Sequence, residues 1–176
     1  MIRRAFIGSG LMLVGLGRRI GAWVQLAEGS LRYLPLSRPV RIPLDTVAVP
    51  WQLALFTAEA MAAATATTAS RRVLISGVLF RKGVSEQLCA LCLTCPHEQC
   101  KVDLITEPER VARMTDGTPT HPLFECGCHS SVFDPQEDGA RVSGETPRGL
   151  YRFRIAGVSD SVVEINEIEE VALSEV

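Results

Sequence analysis

Two short segments hold side chains whose types and spacing suit a metal centre: Cys95-Pro96-His97-Glu98-Gln99-Cys100 and Cys126-Gly127-Cys128-His129-Ser130-Ser131. The first spaces Cys and His as C-x-H. The second spaces them as C-x-x-H, counted from Cys126. Each loop can give one thiolate and one imidazole to a shared centre. A [2Fe–2S] cluster with two thiolates on one iron and two imidazoles on the other needs this mixture, and neutral imidazoles in place of anionic thiolates raise its potential. Cys95, His97, Cys126 and His129 are therefore the candidate ligands. Cys100 and Cys128 remain, one per loop. A disulfide between them would tie the loops together, which suits an oxidising compartment. All six cysteines lie between positions 89 and 128, a crowding that suggests a site rather than a disulfide framework.

Other chemistries fit less well. Cys89, Cys92 and Cys95 are spaced C-x-x-C-x-x-C, as in a [4Fe–4S] ferredoxin run, but position 99 is Gln and the proline follows the third cysteine. On a strand, Cys89 and Cys95 would share a face and Cys92 would oppose them. Cys89 and Cys92 therefore read as small buried core residues. A structural zinc module built on the two loops is a further reading, but it explains neither the Cys100/Cys128 pair nor Ser131. His121, in a Thr-His-Pro setting, reads as a surface-loop residue.

The elements that must position these loops look like short strands. Residues 39–49 are strand-like but broken by prolines, which points to an edge or a bulge. Trp51 to Phe56 suggests the next strand, and Trp51 and Trp23 read as packing or membrane-interface residues. Residues 58–69 form an Ala/Thr tract whose first half has good helix propensity; it reads either as a helix or as a flexible connector, and its role as a hinge stays open. Val73–Phe80 and Gln87–Thr94 read as strands joined at Lys82-Gly83. Leu150–Ile155 and Val162–Ile165 read as a hairpin. Residues 101–121 hold few apolar side chains and read as a surface insertion between the metal loops. Short strands with turn signals indicate a small antiparallel β fold.

The N-terminus differs in character. Residues 1–41 carry seven arginines and one acid, Glu28, while the chain end from Asp160 is purely acidic and reads as solvated. The net charge of −2 gives no electrostatic case for nucleic acid as a partner. Arg3-Arg4-Ala5-Phe6-Ile7 resembles a twin-arginine export signal. The apolar run 5–17 is about 20 Å long as a helix, short of the ~30 Å hydrocarbon core of a bilayer. A second run, 20–26, follows Arg18-Arg19. An uncleaved anchor helix is the favoured reading over a cleaved signal.

Taken together, the motifs C-x-H-x-x-C and C-x-C-H-x-S resemble the Rieske iron–sulfur subunits of cytochrome bc complexes, over roughly residues 71–165. The two extra cysteines separate that group from the small Rieske ferredoxins of ring-hydroxylating dioxygenases. Gly144-Glu145-Thr146-Pro147-Arg148-Gly149-Leu150 is similar to the proline loop, G-x-x-P-x-x-L, that covers the cluster in the family. The resemblance implies a mainly β fold: an antiparallel Rieske-type domain with a cluster-binding subdomain, preceded by an N-terminal anchor helix. The expected layout is 1–30 anchor, 31–70 linker and first strands, 71–165 Rieske domain and 166–176 acidic tail.

The resemblance also implies function. The domain would pass one electron from quinol to a c-type cytochrome, beside a cytochrome b subunit in a multi-subunit, dimeric complex. It would be membrane-anchored, on the outer, periplasmic side of a bacterial cytoplasmic membrane, and not catalytic alone. His129 would accept the quinol's hydrogen bond, coupling electron to proton. Ser131 matches a serine that hydrogen-bonds a cluster sulfide. Phe133 stands where high-potential members have a tyrosine, which implies a lowered potential. Glu98 replaces a covering leucine. Ser131-Val132-Phe133-Asp134 also resembles the small Rieske subunit of arsenite oxidase, a molybdenum enzyme, and this is the second functional reading.

Overall fold

The computed structural model describes residues 31–64, 67–115 and 121–175. The expected anchor helix and export motif, residues 1–30, and Trp23 lie outside the described residues. No helix among the described residues is long and apolar enough to cross a membrane.

Two antiparallel sheets share the work. The larger is built from β1 (Tyr33–Pro43), β2 (Ala54–Ala62), β3 (Arg71–Arg81), β4 (Leu88–Cys92), β9 (Phe153–Val158) and β10 (Val162–Glu169). Its strand order is β4-β3-β2-β1-β10-β9. The two ends meet: Leu91 bridges Arg152, and the Cys92 amide donates to the Tyr151 carbonyl at 2.8 Å. The sheet thus curls toward a barrel, which protects its edges. The smaller sheet is β5 (Val102–Ile105), β6 (Leu123–Cys126), β7 (Ser131–Asp134) and β8 (Ala140–Ser143), in sequential order. All four strands fall between β4 and β9, so the metal-loop subdomain is one insertion into the larger sheet.

The apolar pattern of β3 shows how the halves are joined. Val73 and Ile75 are buried and alternate with exposed residues, so one face of the strand looks into the barrel. From Gly77 to Phe80 every residue is buried. Leu79 still belongs to the barrel core, whereas Val78 and Phe80 belong to a second core with Leu150, Phe124 and Phe133. Covering both faces of a strand makes its sequence continuously apolar.

Four expectations need correction. The Ala/Thr tract is no helix: its first half is β2, with Ala58, Ala60 and Ala62 buried on one face. β2 pairs with β3 in register from Ala54↔Leu79 to Ala62↔Arg71, and long pairing outweighs the weak helical preference of alanine. Trp51 precedes the strand instead of opening it. It adopts φ +66°, its amide donates to the Arg81 carbonyl, and its ring stacks on Phe80. Residues 101–121 are more than a surface insertion: β5 and α1 (Pro108–Met114) bury Val102, Ile105 and Val111, the last two in a small core with Leu123 and Val132. The acidic end is only partly solvated, because β10 runs to Glu169 and α2 (Glu170–Glu175) buries Ala172 and Leu173. Register shifts at Glu164–Glu167 break the period-2 pattern of β10, and Ile168 and Glu169 are both buried at its end.

Candidate metal centre

Both metal loops are hairpin tips, and strand register sets them side by side. In the first, the Cys95 amide donates to the Cys100 carbonyl at 2.8 Å and the Gln99 amide to the Cys95 carbonyl at 3.0 Å. Gln99 takes φ +59° to close the turn, and Thr94 bridges Lys101 at its neck. The second loop runs from Cys126 at the end of β6 to Ser131 at the start of β7, a paired couple, with Ser130 at φ +52°. Val102, two residues past Cys100, pairs with Cys126. The register Val102, Cys126, Ser131 therefore carries one loop onto the other. The expected Cys100–Cys128 disulfide is present, with Cα atoms 6.4 Å apart. It lies within 4.8 Å of the Cys126 sulfur.

The four candidate ligands converge in two pairs. Cys95 and Cys126 are buried against Phe80, Phe124 and Phe133, with their thiols in hydrogen-bond contact. Burial pushes the Cys95 thiol up, while the His97 and Glu98 amides that donate to its sulfur pull it down. The imidazoles of His97 and His129 stand 4.9 Å apart, edge to face. His97 is half-buried, whereas the side chain of His129 is 38% exposed. The thiols therefore lie inward and one imidazole reaches the surface.

Two buried atoms test whether a metal cluster fits. Nδ1 of His97 and Oγ of Ser131 are buried without a protein partner among the described residues. Stranding a buried polar atom costs about 1–3 kcal/mol, so each of these two, one on either metal loop, calls for a partner that the protein itself does not supply. A cluster with imidazole ligation and a sulfide acceptor satisfies both, and proton loss from the thiols accompanies metal binding. Cys89 and Cys92, in contrast, stay protonated: burial, aided by Asp138, pushes the Cys89 thiol up to about 12, and burial raises that of Cys92. They lie in opposite cores, as strand alternation requires.

The third wall is the loop 144–150. Gly144 has φ +95°, and a Cβ placed there would lie 2.4 Å from Ser131 Cα. Only glycine allows this approach. Pro147 is exposed in the same loop, and Leu150 is buried among the residues that surround both thiols. Gly144→Ala is expected to cost about 1–3 kcal/mol from backbone strain alone and to lower iron retention. Urea unfolding with iron analysis checks this; unchanged values would mean that the loop is free of Ser131.

Two neighbours have unexpected surroundings. Glu98 places its carboxylate 3.8 Å from His129 Nε2, at the exposed tip. His121 is a packed residue and no loose surface group: Nε2 lies 2.8 Å from Asp134 and the ring stacks on Trp51 at 5.7 Å. No local sequence signal marks it, since both partners are distant in the chain.

A family model for the Rieske [2Fe-2S] domain matches residues 51–154. None of the curated proteins compared matches the chain. The matched span contains both metal loops and the loop 144–150. The cofactor is thus a [2Fe–2S] cluster, which sets the zinc reading aside. By its pair of cysteine–histidine loops and this match over more than half its length, the chain belongs to the Rieske [2Fe-2S] family of electron-transfer iron–sulfur proteins.

Proposed function

We propose that the chain is the electron-transfer subunit of a quinol:cytochrome c oxidoreductase of the bc type. Cys95 and Cys126 would hold one iron, and His97 and His129 the other. When bound, the cluster supplies one-electron transfer at a potential raised by imidazole ligation. The observation that carries the reading is the Cys100–Cys128 disulfide, which clamps the two loops together beside an exposed imidazole. Because Nε2 lies 3.8 Å from the exposed Glu98 carboxylate, His129 would be left with Nδ1 as its iron ligand and would present its exposed edge to a quinol hydroxyl. Ser131, whose buried hydroxyl has no protein partner among the described residues, would donate to a cluster sulfide. The disulfide also supports a location outside the cytoplasm, on the outer face of a bacterial membrane, with residues 1–30 as anchor.

Ser131-Val132-Phe133-Asp134, together with the carboxylate of Glu98 at the tip, favours a second reading, the small subunit of an arsenite-oxidase-type molybdenum enzyme. Purification from solubilised membranes separates the two. Co-purification with b-type haem, and cluster reduction by quinol, support the first. Co-purification with a molybdenum subunit, without b-type haem, would replace it with the second.

Phe133 bears on the potential under either reading. Its ring is fully buried in the core that holds both thiols. Phe133→Tyr is expected to raise the midpoint potential, because a hydroxyl bonded to a ligand sulfur stabilises the more negative reduced state. One hydrogen bond of about 0.5–1.5 kcal/mol corresponds to roughly 20–65 mV for one electron. A redox titration showing no rise would mean that the ring edge does not reach sulfur.

A further inference from the structure

We propose that Glu169 is a positioning residue: from the larger sheet it holds, through Arg148, the loop that seats Ser131 against the cluster. This rests on the reading that Cys95, His97, Cys126 and His129 hold that cluster. Glu169 ends β10 and is 1% exposed, unusual for a carboxylate. One of its oxygens, Oε2, pairs with the Arg148 guanidinium, and the other, Oε1, accepts the Arg152 amide at 3.1 Å. Arg152 Nε is 3.9 Å away. A buried carboxylate persists only where such partners compensate its desolvation.

Arg148 belongs to the covering loop, and the loop is braced along its length. The Arg148 carbonyl accepts Thr146 Oγ1 at 2.9 Å, and its guanidinium lies 4.7 Å over the Tyr151 ring. Arg141 donates to the Thr146 carbonyl at 3.1 Å and to that of Gly144 at 3.4 Å. Gly144 in turn lies so close to Ser131 that a Cβ there would fall 2.6 Å from the serine Oγ. A continuous run of contacts thus leads from the end of β10 to a serine whose buried hydroxyl has no protein partner among the described residues. Hydrogen bonds to cluster sulfur stabilise the reduced state, so a slack loop that unseats Ser131 lowers the potential.

The test uses the full chain loaded with its cluster, with the variants Glu169→Gln and Arg148→Gln, each with and without Ser131→Ala. Glu167→Gln serves as reference, because Glu167 lies on the same strand but pairs at 2.7 Å with the exposed Arg154. Midpoint potentials are measured by EPR-monitored titration. The expected result is a lowered midpoint in both Glu169→Gln and Arg148→Gln and none in Glu167→Gln. Ser131→Ala should lower the midpoint of the parent, and lower it by clearly less in the two loop variants. If Arg148→Gln, which strands the buried Glu169 carboxylate, does not fold, Glu169→Gln carries the test, since its amide oxygen can still accept the Arg152 amide and the partly exposed Arg148 is left to solvent. An unchanged or raised midpoint, or a full Ser131→Ala effect in the loop variants, would overturn the proposal. A parent protein that binds no cluster would instead overturn the ligand reading, and the inference with it.

Discussion

Cys126→Ser is expected to abolish cluster binding, reducing iron from two atoms per chain to near zero while the larger sheet stays folded. Cys126 is buried at the end of β6 among Phe80, Phe124 and Phe133. A serine hydroxyl there does not ionise near neutral pH, so it cannot replace the thiolate that iron requires. The barrel core of Ile75, Leu79, Val163 and Ile165 is a separate set of contacts, so far-UV circular dichroism should keep its strand signature. Iron and sulfide analysis of the purified variant checks this. Retained cluster would mean that another group, with the nearby disulfide sulfurs as candidates, supplies the ligand. A larger loss is not available to a single substitution, because each half of the ligand set comes from a different hairpin tip.

Reducing or deleting the Cys100–Cys128 disulfide is the second large effect. The bond closes a loop with a sequence separation of 28 residues. For that length the chain-entropy relation gives about 3–4 kcal/mol of stability. The loss falls on the subdomain, whose four strands are each only four residues long. Cys128→Ala is therefore expected to lower the urea midpoint and to release the cluster well before the barrel unfolds. Following the cluster's visible absorbance and circular dichroism in parallel would show two separated transitions. A single transition at the parent midpoint would mean that the cluster alone clamps the loops. The disulfide includes the exposed Cys128, so strong reductants should mimic the substitution.

What was legible in the sequence follows from what each signal depends on. The metal loops were readable because ligand spacing within a hairpin tip is a local property: Cys95 and His97, or Cys126 and His129, must sit together wherever the tip goes. The disulfide was readable for the same reason, once both loops faced one centre. Cys89 and Cys92 could be placed on opposite faces because strand alternation is local too. The Ala/Thr tract was misleading, because alanine's preference is small and the partner β3 decides its conformation. Residues 101–121 looked empty of core because Val102, Ile105 and Val111 are spaced across a strand and a short helix, with no single period. Glu169 was hidden by register shifts in β10, past which this one acid is buried while Glu164 and Glu167 stay partly exposed. His121, Trp51 and Asp134 meet through tertiary packing alone.

The same division explains the roles of the two cores. The barrel core contains none of the candidate ligands, whereas the second core contains both thiols together with Leu150 from the covering loop. Packing errors in the barrel are thus expected to reach the cluster mainly through β3, whose Val78 and Phe80 belong to the second core, and through the Glu169–Arg148 pair.

The most direct test of the central claim is an EPR spectrum of the purified chain after ascorbate and then after dithionite. A rhombic signal with average g below 2, of the kind given by a [2Fe–2S] cluster with imidazole ligands, is expected, lost in both Cys126→Ser and His129→Ala. Its appearance already with ascorbate would also support quinol oxidation. No such signal under either reductant, with zinc found in place of iron, would contradict the account.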